Sequence, residues 1–372
     1  MASDSFAEAC EIVDSIVGDQ AESWDLAGLL PSRVLADLGG RGLLCPQVPE
    51  TYGGLGFDSS STGRLTAHVG ARCSSLRSVM TSQGMAAWTI QRLGDMAQRH
   101  AYLSELTAGK VAAVGFSEPD AGSDLSAITT RIKRDGDHLV LSGSKVWVTA
   151  ADYADLLVVF GQFGDGAAAV VVPTASPGVT VTKVADPLGC RAAGHADVEF
   201  DSVRLTENSL LGGSAQSLQL LVTTALTYGR LSVAWGCVGI LRSCLAEATR
   251  HARTREQFGK PLAQHQLTAR NVAELLTAEH IATRSCEYAS QCWDAKRPEM
   301  VTAAVMAKYV SAQHAVRGAA TAVQVLASAG ARDGRPVARA YRDAKLMEII
   351  EGSSEICQLI LAEQAFNASY QV

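Results

Sequence analysis

The sequence lacks several features that would point to other classes of protein. Aromatic residues make up only 6% of the 372 residues, and the nine cysteines contain no Cys-x-x-Cys pair of the kind that binds zinc. An odd number of scattered thiols favours reduced cysteines over a disulfide framework. The 32 basic and 38 acidic residues include no basic tail or stripe. We therefore expect no metal site, and neither nucleic acid nor an anionic membrane as a partner.

Targeting and membrane-spanning patterns are also missing. The N-terminus carries Asp4, Glu8 and Glu11 before any basic residue, which is wrong for a signal or transit peptide. The longest uncharged run, residues 208–229, contains Asn, Gln, Ser and Thr throughout and would make a poor membrane helix. We expect a cytoplasmic protein.

The pattern of apolar and polar residues changes twice along the chain. Residues 1–112 show helical apolar spacing, and residues 113–228 contain short β-rich runs separated by Gly, Pro and Asp turns, which predict an antiparallel barrel or sandwich. Residues 229–372 return to helical spacing, and four long runs predict an antiparallel bundle: 231–253, 262–293, 299–329 and 337–366. The order helical, β, helical predicts a multidomain α+β protein and argues against a doubly wound dinucleotide fold.

Two stretches of the β region carry groups suited to a flat ligand. Residues 115–124 read Gly-Phe-Ser-Glu-Pro-Asp-Ala-Gly-Ser-Asp, in which glycine permits close backbone approach and Ser117 and Ser123 offer hydroxyl groups. An alternating strand would put Trp147 and Thr149 on one face, so that a π-surface lies beside a hydroxyl. Each stretch also has an ordinary explanation, as a surface turn and as a strand with a core tryptophan.

A third stretch lies between two predicted helices. Residues 253–262 combine basic residues, an aromatic residue, Gly and Pro, and Gln266 follows. An arginine and a phenylalanine at such a boundary could meet an anionic planar ligand. Ordinary helix termination explains the same residues.

A fourth stretch contains a glutamate in an unusual context. Glu351 follows two isoleucines and precedes Gly352. A carboxylate held against apolar surface is a plausible proton acceptor, because burial disfavours its charged form. If a helix continues through Glu355, the like-charge pair would raise the proton affinity further. The alternative is a helix end with two exposed carboxylates.

Together these stretches resemble the acyl-CoA dehydrogenase family over essentially the whole chain. The matching patterns are Glu-Pro with Ala-Gly-Ser-Asp, Trp-x-Thr, Arg-x-x-Phe-Gly, Arg-Asp-Ala-Lys followed by Glu-Gly-Ser-Ser, and Tyr-Gly-Gly-Leu-Gly at 52–56. The resemblance implies an N-terminal helical domain, a middle β-barrel-like domain and a C-terminal four-helix bundle. It also implies that FAD lies between the last two.

Motif positions imply roles for individual residues. Those expected to hold the flavin ring and the pyrophosphate are Phe116, Ser117, Gly122, Ser123, Trp147 and Thr149, with Thr149 as the hydroxyl partner of flavin N5. Ser353 and Glu355 would flank the cofactor. The residues offered to the FAD of a neighbouring subunit would be Arg255, Phe258, Gln266 and Gln324, which implies a homodimer or homotetramer. Ser328 would also contact FAD, in a stretch that lacks the family's Gly-Gly.

Glu351 takes the family's catalytic-base position. Some members place the base at the position that is Gly229 here, which has no side chain for the task. The residues implied to contact substrate are Arg77, Thr81, Ser123, Arg230 and Gly352. The stretch 189–197 lacks the usual Ser-Asp-Thr.

Residues 74–85, 189–197 and 232–239 most resemble a narrower branch, the polyketide-cluster dehydrogenases that help make hydroxymalonyl- and methoxymalonyl-acyl carrier protein. This implies oxidation of a 2-hydroxy-3-oxopropionyl group on an acyl carrier protein. Polar residues from Arg77 to Gln83 suit a small polar acyl group, although a solvated helix face would look the same. Three alternatives stay open: a short-chain acyl-CoA dehydrogenase, a flavin oxidase or monooxygenase, and a non-catalytic flavin or acyl-carrier binding protein. The pattern does not indicate the electron acceptor.

Overall fold

The structure is a computed structural model that describes residues 2–367, and it begins with a layer of helices. These are α1 (Ala2–Val17), α2 (Ala21–Ala27), α3 (Ser32–Gly39), α4 (Ser59–Arg72), α5 (Ser74–Leu93) and α6 (Met96–Thr107). In α3 the predicted spacing works as expected, since Val34, Leu35 and Leu38 are at most 5% exposed. Asp95 and Gln98 form a capping box that starts α6.

Helix α5 runs through the interior of the protein. Arg77 is 1% exposed and Gln83 is 0% exposed, although both are polar. The Gln83 side chain accepts a hydrogen bond from the N–H of Ala112, and the Ser82 hydroxyl donates to the carbonyl of Thr149 at 2.9 Å. Because buried polar groups need partners, these bonds hold α5 against the middle of the chain.

The middle of the chain forms one mixed sheet. Its strands are β1 (Ala112–Gly115), β2 (Arg131–Asp135), β3 (His138–Val148), β4 (Leu156–Phe163), β5 (Gly166–Pro173), β6 (Val179–Lys183), β7 (Ala196–Thr206) and β8 (Leu210–Gln216). Their order is β6-β7-β3-β2-β4-β5-β8, and β1 pairs with β4. Most neighbours are antiparallel as predicted, but β4 runs parallel to β1 and β2. Local alternation of apolar and polar residues predicts where strands lie but not which strands pair, so the sequence analysis missed these parallel pairs.

The C-terminal helices differ from the prediction at both ends. They are α7 (Leu218–Thr254), α8 (Gln266–Asp294), α9 (Met300–Leu326), α10 (Pro336–Met347) and α11 (Ser354–Asn367), with a small hairpin of β9 (Glu256–Gln257) and β10 (Lys260–Pro261) after α7. The expected domain boundary between residues 228 and 229 falls inside α7, and we propose that the third domain begins near residue 218. One continuous helix over 337–366 is wrong, because the chain leaves helical geometry between α10 and α11.

Helix α7 is the centre of the bundle. It is long and apolar enough to cross a membrane by length and composition alone, but 72% of its most apolar window is buried inside the protein. Val233, Trp235 and Leu241 are at most 1% exposed and belong to one apolar cluster with residues of α8, α9 and α10. This burial is typical of the core helix of a bundle. All nine cysteines are free, and only Cys10 is partly exposed.

Candidate active site

Glu351 lies in the break between α10 and α11. Its φ is 56° and that of Gly352 is 89°, so two consecutive residues take the left-handed conformation that ends a helix. The Glu351 Oε2 atom is out of contact with solvent and has no hydrogen-bond partner among the described residues. A buried oxygen without a partner is costly, and it is free to accept a proton from a bound molecule.

Two buried cations hold the backbone of this break. Arg230 Nε donates to the Glu351 carbonyl at 3.1 Å. Lys308 Nζ donates to the carbonyls of Gly352 at 2.6 Å and Glu348 at 3.3 Å. Sequence reasoning named Arg230 but missed Lys308. The available signal was a lone lysine directly after the apolar run 303–307 of α9.

The protonation of Glu351 is set mainly by burial. Burial raises the pKa of Glu351 to about 7, and the charges of Arg230, Lys308 and Arg77 oppose this rise. A pKa near 7 suits a general base, since the group is partly ionised at neutral pH and still basic enough to take a proton.

The expected like-charge contribution of Glu355 is wrong. Glu355 is exposed in the first turn of α11, beyond the helix break. Hydrogen bonds from its own backbone and from the Ser353 hydroxyl lower the pKa of Glu355. It does not contribute to the raised pKa of Glu351, because the helix that would have placed the two carboxylates one turn apart is interrupted.

Gly229 packs directly against the Glu351 carboxylate. A Cβ atom at Gly229 would lie 2.4 Å from Glu351 Oε2 and 2.7 Å from Met85 Sδ. Real Cβ atoms essentially never approach other atoms this closely. The absence of a side chain at residue 229 therefore leaves the room that Glu351 occupies.

A polar cluster continues from this point between α5 and α7. Thr81 Oγ1 and Ser232 Oγ are 2.7 Å apart, and Arg77 Nη1 donates to Thr81 Oγ1 at 3.3 Å. All three residues are at most 7% exposed, so a solvated helix face is excluded. Arg77 Nε has no hydrogen-bond partner, and Arg77 forms no ion pair within residues 2–367. A buried guanidinium without an ion-pair partner suits a polar or anionic ligand.

A buried ion pair anchors the Ser-rich loop after β1. Glu118 Oε1 lies 2.8 Å from Lys145 Nζ, and both side chains are at most 3% exposed. Glu118 also accepts hydrogen bonds from the N–H groups of Thr129 and Thr130. Burial raises the pKa of Glu118, but the hydrogen bonds and the Lys145 charge outweigh the effect of burial and lower the pKa to about 2. Phe116 and Ser117, just before Glu118, are half-buried. Gly122 and Ser123, after it, are exposed.

Trp147 and Thr149 lie beside that loop, although not through strand alternation. Trp147 has a φ of 56° and is 53% exposed, and the ladder with β7 shifts register between Lys145 and Val148. This irregularity turns the indole outward, so neither simple alternation nor a core tryptophan describes it. Val146 N–H donates to the Ser117 carbonyl at 2.8 Å and joins the two predicted stretches.

His195 contacts Trp147 and Thr149, and the sequence analysis did not select it. Its Nδ1 lies 3.2 Å from Thr149 Oγ1, and its ring centroid lies 5.8 Å from that of Trp147. Burial, and then the charge of Arg77, lower the pKa of His195 to about 4, so the imidazole is neutral at pH 7. The missing Ser-Asp-Thr in residues 189–197 was the signal for a changed contact here.

The remaining predicted cofactor residues lie away from Glu351. Arg255, Phe258 and Gln266 lie between the end of α7 and the start of α8, and Gln324 and Ser328 lie at the end of α9. All five are exposed, and Phe258 is 95% exposed. Such exposure is what contact with a second subunit would require.

Comparisons with known proteins agree over the whole chain. Models of the acyl-CoA dehydrogenase N-terminal, middle and C-terminal domains match residues 5–110, 113–203 and 220–366. The chain belongs to the acyl-CoA dehydrogenase family. It is 32% identical to the mitochondrial short-chain specific acyl-CoA dehydrogenase of Homo sapiens over 345 residues, which cover 91% of this chain and 83% of that enzyme. The three-domain fold expected from the sequence is confirmed.

Two solved structures sharpen the comparison. FkbI, described as acting in biosynthesis of the methoxymalonyl extender unit of the FK520 polyketide, is 59% identical with a TM-score of 0.93 and covers 97% of this chain and 99% of its own. A Mycobacterium smegmatis glutaryl-CoA dehydrogenase in complex with FADH2 is 27% identical with a TM-score of 0.92, covering 99% and 95%.

Members of this family are FAD-dependent oxidoreductases that act on acyl thioesters, and so is this protein. The residues present fit FAD. The exposed indole of Trp147 offers a flat surface beside the Thr149 hydroxyl, and the anchored loop presents Ser117 and Ser123 next to it. The contacts that each of these residues makes with FAD stay predictions.

Proposed function

We propose that this enzyme oxidises a 2-hydroxy-3-oxopropionyl group carried on an acyl carrier protein to a hydroxymalonyl group, as a step in methoxymalonyl extender-unit biosynthesis for a polyketide. The observation that carries this proposal is the 59% identity to FkbI over 97% of the chain. The buried polar cluster of Arg77, Thr81 and Ser232 supports it, because a fatty-acyl channel has no use for a buried guanidinium without an ion-pair partner.

The reaction begins from the hydrated aldehyde. Glu351 Oε2 removes the proton from the carbon next to the thioester carbonyl, since it is unpartnered and has a pKa near 7. FAD, when bound, supplies the two-electron acceptor for the hydride that leaves the β carbon. The resulting enediol tautomerises to the carboxylic acid, so the substrate loses two hydrogens and two electrons overall.

Arg230 and Arg77 have complementary roles in this proposal. Arg230 is 6% exposed and donates to the Glu351 carbonyl. This bond would keep its charge close to the reacting thioester. Arg77 is 1% exposed and would favour the product, which gains a carboxylate that the substrate lacks. Thr81 would orient the substrate's hydroxyl groups, and Ser123 and Gly352 would contact the thioester arm.

The proposed partners are an acyl carrier protein and further copies of this chain. Carrier proteins are usually acidic, and Arg242, Arg250 and Arg253 line one groove along α7 that could receive one; Arg255 follows at the helix end. Large apolar side chains of the C-terminal region are exposed, among them Phe258, Leu267, Leu276, Ile281, Tyr288 and Met306. We propose that a homodimer or homotetramer covers them, in a cytoplasmic enzyme.

The test is anaerobic flavin reduction. The purified holoenzyme is mixed with phosphopantetheinylated carrier protein loaded with the 2-hydroxy-3-oxopropionyl group, and flavin absorbance is followed. We expect bleaching, together with a mass increase of one oxygen relative to the free aldehyde form. No bleaching by this substrate, with bleaching by butyryl-CoA, would refute the proposal.

That second outcome would support a short-chain acyl-CoA dehydrogenase, which the 32% identity to the human short-chain enzyme keeps as the other candidate. The Arg77→Met variant separates the two further. It should slow flavin reduction by the carrier-bound substrate much more than by butyryl-CoA, because Arg77 holds Thr81, which would orient hydroxyl groups that butyryl-CoA lacks.

A further inference from the structure

Lys308 is a charged residue buried without an ion-pair partner. It projects from α9 and is 0% exposed, as are its neighbours Val305 and Ala312. No carboxylate lies within ion-pair distance of its Nζ among the described residues. Burying an ammonium group is costly unless hydrogen bonds compensate, so its acceptors show what the residue is for.

Those acceptors lie on the two sides of the helix break. Nζ donates to the carbonyl of Glu348, just after α10, and to the carbonyl of Gly352, just before α11. The Glu348 carbonyl also accepts the backbone N–H of Ser354 at 2.9 Å, so the ammonium is a second donor to that carbonyl and a side-chain donor to the Gly352 carbonyl. The bridge spans the residues between the helices, including Glu351.

Arg230 completes the support from the opposite helix. Its Nε bonds the carbonyl of Glu351 itself, so three carbonyls of the break are held by two buried cations from α7 and α9. Glu351 is a non-glycine residue at a φ of 56°, a conformation that persists only where the surroundings impose it.

We propose that Lys308 is a positioning residue for the reaction: it bridges the two helix ends and thereby holds the Glu351 carboxylate against Gly229, ready for proton abstraction. The inference rests on the proposed role of Glu351 as the base. It assigns to Lys308 both a geometric effect, through the two carbonyls, and an electrostatic effect on the Glu351 carboxylate.

The electrostatic effect can be read in the pH dependence. The charged groups that face Glu351 are Arg230 from α7, Lys308 from α9 and Arg77 from α5, and all three lower its pKa against the effect of burial. The thiol of Cys357 on α11 packs on the Gly352 carbonyl from the remaining side. Removing the Lys308 charge should therefore move the Glu351 pKa above 7.

The experiment compares Lys308→Met with Lys345→Met. Lys308→Met keeps most of the length of the side chain, without its charge and donors. Lys345 is the matched control, since its Nζ pairs with the side chain of Glu348 at 2.7 Å and it is exposed. The measurements are flavin content, melting temperature and the single-turnover rate of flavin reduction. The rate is measured from about pH 5.5 to about pH 9, because such a base titrates within that range.

We expect Lys308→Met to retain FAD. Its rate of flavin reduction at pH 7 should be lower by about tenfold or more, and its maximal rate should require a higher pH. Lys345→Met should match the wild type. A Lys308→Met enzyme with the wild-type rate and pH profile would overturn the proposal. If its melting temperature is lower while the rate and the pH profile are unchanged, Lys308 has a purely structural role and the proposal is also overturned.

Two further arms keep the outcome readable. If Lys308→Met does not fold, Lys308→Gln retains a hydrogen-bond donor without the charge, and the same shift of the pH profile is expected. If the carrier-bound substrate does not reduce the wild-type flavin, the proposed substrate has failed. The Lys308 comparison is then made with butyryl-CoA, on which the positioning of Glu351 has the same consequence.

Discussion

The contact between Gly229 and Glu351 leads to a sharp prediction for Gly229→Ala. The new Cβ would lie 2.4 Å from Glu351 Oε2, whereas ordinary van der Waals contact begins at 3.4 Å. The carboxylate must therefore retreat by about 1 Å, because Gly229 is fixed in the helical backbone of α7. Displacements of about 1 Å at a reacting group cost on the order of 100-fold in rate.

Stability should fall only modestly in this variant. Alanine improves helix propensity over glycine by about 1 kcal/mol, and overpacking costs about 1–3 kcal/mol, so the net loss is about 0–2 kcal/mol. The rate of flavin reduction should fall about 100-fold, while FAD is retained and the melting temperature falls no further than in a glycine-to-alanine control elsewhere in the bundle. Stopped-flow reduction at saturating substrate measures the rate apart from binding.

Gly318→Ala provides the matched control. Its Cβ would also be crowded, at 2.5 Å from Leu241 Cδ2, but it lies in the bundle core and has no contact with Glu351. The control should show a modest loss of stability and a wild-type reduction rate. If Gly229→Ala reduces its flavin within about twofold of the wild type, Glu351 is not the base or does not need this position.

Three further predictions follow from the same site. Glu351→Gln should keep its FAD but lose about 10²–10⁴-fold in the reduction rate, and turnover at the wild-type level would contradict the mechanism. In the wild type the reduction rate should fall as pH drops below about 7, since protonated Glu351 cannot accept a proton; a flat profile between pH 6 and 8 would count against it. Lys145→Met should destabilise the holoenzyme by about 3–5 kcal/mol in urea unfolding, because it leaves Glu118 buried and unpaired, while the exposed-site control Lys133→Met should change stability little.

Much of the fold could be read from local pattern. Helical spacing such as that of Val34, Leu35 and Leu38 reports burial directly, because each turn of a helix returns side chains to one face. The motifs around Glu118 and Glu351 were recognisable because their residue types follow from what a flavin and a thioester require. The sheet order was not readable, since strand pairing joins residues far apart in the chain.

The sequence alone determined the three-part organisation, the family resemblance and the nomination of Glu351, all of which depend on residue types and short spacings. Only the tertiary structure decided the surroundings that make Glu351 a candidate base. Its burial comes from α7 and its backbone support from Arg230 and Lys308, which lie 121 and 43 residues away along the chain. The helix break itself runs against the local helical pattern, and these distant buried cations bind its carbonyls. Electrostatics and packing of this kind depend on distance in space, which the order of residues does not encode locally.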